Sequence, residues 1–152
     1  MGENAIFGAL LPRASRVLST EGQASFERFV LRALGVVGLV GVLMVGGTWL
    51  LGEWGLRLFA GEEFIVGKAV LVALAAMAAF YLLSETVSQS LFALGRGRLA
   101  AIGWFVGLLA SAACLAVLGV GVVEKVSYSL AVGTCAAAVM QGAFFLVLRR
   151  RA

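Results

Sequence analysis

An all-α membrane protein of four transmembrane helices is the fold class that this sequence predicts, and three observations predict it. The first is composition: 62% of the 152 residues are hydrophobic and only 13% are charged. The mean hydropathy is +1.04, outside the range of soluble domains. The second is spacing, because the scattered charges divide the chain into four long apolar runs, each long enough for the ~20 residues that cross a ~30 Å hydrocarbon layer. The third is that these runs are continuously apolar, whereas strands of a membrane barrel alternate over ~10 residues.

The elements follow in order. Residues 1–29 differ from the rest. "AIFGALLP" is apolar but far too short to cross, and Pro12, the single proline, marks a break after it. It reads as the end of a truncated helix. "RASRVLSTEGQASFERFVLRA" is polar and amphipathic, and Thr20 with Gln23 forms a T-x-x-Q capping box able to start a helix. The first span is expected over about 30–52, built on the 20 uncharged residues between Arg32 and Glu53. The second is expected over 67–95, its apolar run from Ala69 to Gly95 interrupted only by Glu85. The third and fourth are expected over 99–122 and 126–148, the last ending at the run Arg149, Arg150, Arg151. Residues 1–152 thus read as one membrane domain, a cytoplasmic connection over 1–29 leading into the membrane region over 30–152.

Orientation follows from the basic residues. With four spans, both termini and the "GRGR" loop share one side, which carries Arg13, Arg16, Arg28, Arg32, Arg96, Arg98 and the three terminal arginines. The other side carries Arg57, Lys68 and Lys125, so the bias is nine to three. By the positive-inside rule both termini are cytoplasmic. Trp49 and Trp54 bracket the outer end of the first span, where an aromatic belt places them. The loop "EWGLRLFAGEEF" is expected as a short interfacial helix with Trp54, Leu58 and Phe59 towards lipid.

Composition also excludes chemistry. The chain holds no histidine and no aspartate, which removes the commonest metal ligand and every Ser-His-Asp arrangement. No catalytic residue, metal site or cofactor is expected. The +4 net charge comes from arginines that flank apolar runs, so it speaks for membrane topology rather than nucleic acid. Cys114 and Cys135 lie inside apolar runs and read as packing residues, at similar depth, which makes the two thiols candidate neighbours.

Small residues four apart mark close helix approach in lipid. Gly103, Gly107 and Ser111 form such a row on the third span. Gly133, Ala137 and Gln141 form one on the fourth, as do Thr134, Ala138 and Gly142. A tight antiparallel hairpin of these two spans is expected.

The candidate functional feature is "LLSETVSQSLFALGRGR", residues 82–98. Glu85 lies 11 residues before Arg96, about 16 Å along a helix, too deep for a short side chain to reach water. Its insertion costs ~2.5–3.5 kcal/mol, so it needs a partner or a cavity. Ser84, Ser88, Glu85 and Gln89 fall at helical spacing and read as one polar stripe, with Tyr81 one turn before Glu85. Three roles stay open for Glu85: a neutral acid bonded within its own lobe, a cavity lining, or a site that takes up a proton or cation to couple transport. Arg96 and Arg98 are topology anchors or contacts for anionic lipid headgroups.

Several stretches together resemble a family. "ALLPRASRVLSTEGQASFERFVLRA", a span ending "LLGEWGLRLFAGEEF", a helix closing "SQSLFALGRGR", and two more spans with a basic tail are similar, in order and spacing, to the closing section of the polysaccharide flippases. These are lipid-linked oligosaccharide exporters of the multidrug/oligosaccharidyl-lipid/polysaccharide superfamily. The similarity covers essentially the whole chain. It implies two six-helix lobes that open alternately to either side of the membrane around a central cavity. This chain corresponds to the last four helices of the second lobe and the end of the helix before them. It departs from the family by lacking the first lobe, so a C-terminal fragment or split subunit is expected. The partners implied are that N-terminal lobe, membrane lipid and a lipid-linked oligosaccharide, in a bacterial plasma membrane. Two other functions fit the residues alone: a self-contained four-helix proton-coupled drug exporter using Glu85, and a non-transporting membrane scaffold.

Overall fold

The computed structural model describes residues 23–60 and 67–150, which form four helices and no strand. All four are long and apolar enough to cross a membrane. The molecule is therefore an all-α, multi-pass membrane protein. Thr20, "AIFGALLP" and the loop residues 61–66 lie outside the described residues.

Helix α1 runs from Gln23 to Ala60, 38 residues, or about 57 Å at ~1.5 Å per residue. It begins seven residues before the expected span and ends eight beyond it. The physical reason is that nothing between Gln23 and Ala60 stops a helix. Its glycines cost little in lipid, where each backbone group must be bonded within the helix. Of the interfacial helix expected over "EWGLRLFAGEEF", the described part, 53–60, is the last two turns of α1 rather than a separate element.

Helix α2, Lys68–Ala93, ends where glycine permits a left-handed residue. Gly95 has φ of 68°; its N–H bonds the Phe92 carbonyl at 2.9 Å, and the Arg96 N–H bonds that of Leu91 at 2.8 Å. This pair satisfies the last carbonyls of the helix. Gly97 then opens α3, Gly97–Val117, because a Cβ there would lie 2.6 Å from the Phe92 ring. A short turn, Leu118–Gly121, leads to α4, Val122–Arg150. It starts four residues earlier than expected, drawing in "EK": Glu124 sits in the first turn, where the helix dipole favours an acid.

In space the order is α1, α2, α4, α3, with α3 also reaching back to touch α2. Helix α2 is the centre: 39% of its apolar window is buried, against 11% for α1. The main apolar core sits at the end that holds the start of α1, the Gly95–Gly97 turn and the end of α4. Phe26, Val30, Val87, Leu91, Ala100 and Phe145 are buried together there. Glu27 and Arg149 join over them at 3.0 Å. Elsewhere Val36, Leu43, Leu50, Leu108 and Val139 point outward, as a lipid-facing surface requires. At the far end the Lys68 ammonium lies 4.5 Å over the Trp49 ring.

Candidate functional site: the polar face of α2

Helix α2 carries five hydroxyl, amide and carboxyl side chains within one and a half turns, plus Ser90 just beyond. In hydrocarbon each must find a partner. Two find it in the backbone of their own helix: Thr86 Oγ1 donates to the Leu82 carbonyl at 2.8 Å, and Ser90 Oγ to that of Thr86 at 2.9 Å. These are satisfied and hold no chemistry.

Ser84 and Ser88 turn inward. Ser84 is fully buried and donates to Gln141 Oε1 of α4 at 2.9 Å. The amide of Gln141, itself fully buried, donates onward to the Ala100 carbonyl of α3 at 3.1 Å. One turn along, Ser88 accepts the Trp104 indole N–H at 3.1 Å. These four side chains join three helices, and a polar bond with no water to compete for it fixes their register.

Glu85 and Gln89 turn another way. Successive helical residues are ~100° apart, so the neighbour of Ser84 cannot share its direction. Glu85 is half-buried and accepts a hydrogen bond on Oε1 from Gln89 Nε2 at 2.7 Å. Tyr81, one turn before, is 48% exposed and tilts against Trp104 with ring centroids 5.7 Å apart. Phe92 on the same side is exposed as well. The stripe read from the sequence is thus two features: an interior joint of Ser84 and Ser88, and an open patch of Glu85 and Gln89. A carboxylate has two acceptor oxygens, and Gln89 meets one of them.

The small-residue rows of α3 and α4 meet. A Cβ on Gly107 would lie 2.6 Å from the Gly133 carbonyl oxygen and 2.8 Å from the Ala137 methyl. One on Gly133 would lie 2.7 Å from Ser111 Cβ. Gly103 leaves room for the side chain of Gln141. The second row on α4 does not take part in this way: a Cβ on Gly142 meets nothing within 4 Å, and Thr134 donates to its own helix. Cys114 and Cys135 are both free. Arg96 and Arg98 are exposed at the turn between α2 and α3.

Sequence reasoning did not find the joint made by Gln141 and Trp104. A signal was present, since a glutamine inside an apolar span and an indole N–H both need partners. In comparison with known proteins, the chain matches no family model, no curated protein and no solved structure.

Proposed function

We propose that this chain is a lobe of a membrane transporter, the closing four helices of an exporter that moves a lipid-linked oligosaccharide across a bacterial plasma membrane by alternating access. In this reading the open face of α2, with Glu85 and Gln89, lines the path of the hydrophilic headgroup. The wall opposite is a first lobe supplied from outside these residues. Arg96 and Arg98 meet anionic headgroups at the cytoplasmic surface.

One observation carries the reading. Glu85 sits deep within a 26-residue apolar helix, half-buried, and its bond comes from its own helix rather than a neighbour. A carboxyl group facing hydrocarbon costs ~2.5–3.5 kcal/mol, so this face is built to meet water, substrate or another protein surface. The order and spacing of "LFALGRGR", the outer loop and the basic tail, similar to those of polysaccharide flippases, point to the substrate class. Deleting the coding sequence in the native host tests the proposal. Lipid-linked precursor should accumulate and surface polysaccharide should fall, with recovery by the wild-type chain and poor recovery by Glu85→Leu. Unchanged precursor in the deletion strain would refute the assignment.

A further inference from the structure

Two aromatic rings border the Glu85 face. Tyr81 of α2 is 48% exposed and tilts at 48° against Trp104 of α3, with ring centroids 5.7 Å apart. The indole is held in place, because its N–H donates to Ser88 Oγ at 3.1 Å. Trp104 therefore lies along α2 from Tyr81 to Ser88. Glu85 falls between those two in the chain, and at ~100° per residue the three lie within about 60° of one another around the helix. The carboxyl group and the two rings thus share one side of α2. Gln89 stands one turn beyond, donating to Glu85 Oε1 at 2.7 Å.

This set of groups selects among ligands. Among the described residues Glu85 forms no ion pair. The nearest basic residues along the helices, Arg96 and Arg98, lie seven residues past Gln89 and six before Trp104, about 10 Å and 9 Å along the axis. A phosphate or carboxylate ligand meets no cation built against this patch. Glu85 Oε2, the Gln89 carbonyl and the Tyr81 hydroxyl have no hydrogen-bond partner among the described residues, so they offer acceptors. The Tyr81 hydroxyl and the second amide N–H of Gln89 also donate. A bare cation uses only the acceptors, whereas a hydroxyl group uses both kinds, since it donates and accepts. The rings add a demand for an apolar surface beside those hydroxyls. A pyranose combines the two: its ring C–H groups form an apolar face, and its hydroxyls form a polar rim.

We propose that Tyr81, Trp104, Glu85 and Gln89 form a subsite for one uncharged sugar ring, its C–H face on the Tyr81 ring and its hydroxyls on Glu85 and Gln89. The inference rests on the transport reading of this face, and names the part of the headgroup that it holds. Saturation-transfer NMR of the full chain in lipid nanodiscs tests it, with the aromatic protons irradiated and the methyl glycosides of glucose, galactose, N-acetylglucosamine and rhamnose offered one at a time. At least one glycoside should receive saturation, most strongly at its ring C–H protons. Tyr81→Ala should lower that transfer about tenfold, as should Tyr81→Leu, which keeps apolar bulk without an aromatic face. Phe105→Ala should leave it unchanged, because that ring is 60% exposed and turned ~100° from Trp104 on α3. Transfer to none of the four glycosides, or equal loss in the Tyr81 and Phe105 variants, would overturn the proposal. So would transfer to tetramethylammonium alone, which would assign the face to cations. The outcome is separable from that of the deletion strain. Accumulated precursor without glycoside binding leaves the transport reading standing and removes this subsite; glycoside binding without accumulation keeps the subsite and removes the transport reading.

Discussion

The seam between α3 and α4 and the seam between α1 and α2 use the same residue, glycine, to opposite ends. At the first, Gly107 and Gly133 bring backbone against backbone with no room for a methyl group. At the second, Gly41 approaches Ala79, a Cβ there standing 3.0 Å from the alanine methyl, while Gly35, Gly38, Gly46 and Gly47 face open space. The difference teaches that glycine in a membrane helix has no fixed meaning. What decides is whether a second glycine or alanine stands opposite at the same height. One seam is closed and further joined by Gln141; the other is loose, and α1 is the least buried helix of the four.

The comparison can be broken most forcefully at its tight side. Gly107→Leu or Gly133→Leu forces backbones apart and should cost ~3 kcal/mol or more, seen as loss of the thermal transition of the detergent-solubilised chain. Gly46→Leu on α1 should instead leave that transition in place, within ~0.5 kcal/mol; equal damage at both seams would remove the distinction. Next comes the joint. Gln141→Leu strands the Ser84 hydroxyl and should cost ~1–3 kcal/mol, and the second change Ser84→Ala should recover part of it, as a double-mutant cycle would measure. The smallest effect is expected at the other link between elements. Glu27→Gln removes a half-exposed ion pair and should shift stability by only ~0.2–1 kcal/mol, less at high salt.

Much of this fold was legible because membrane helices obey few rules. Charges located four apolar runs, and the structure has four helices of that kind. Their ends were less legible. The run "EWGLRLFA" reads by its polarity as a short interfacial helix apart from the span, but Glu53 and Arg57 tolerate a helix, and α1 simply continues through them. On α4 two small-residue rows were equally good by composition, and only packing against Gly107 distinguishes Gly133 and Ala137 from Ala138 and Gly142. For the polar stripe, spacing showed that Ser84, Glu85, Ser88 and Gln89 lie close together. It did not show that a ~100° turn between neighbours sends one pair into the bundle and leaves the other on the open face. That turn is the difference between a structural joint and a candidate for transport.

The most direct test of the central claim is whether the Glu85 face meets water within a membrane. With Cys114 and Cys135 replaced by alanine, single cysteines at Glu85, Gln89, Arg96 and Val139 can be exposed, in vesicles of both orientations, to a membrane-impermeant thiol reagent. The account predicts labelling of Glu85→Cys and Gln89→Cys at rates within tenfold of Arg96→Cys, and none of Val139→Cys on the lipid-facing side of α4. Glu85→Cys as inert as Val139→Cys would contradict it.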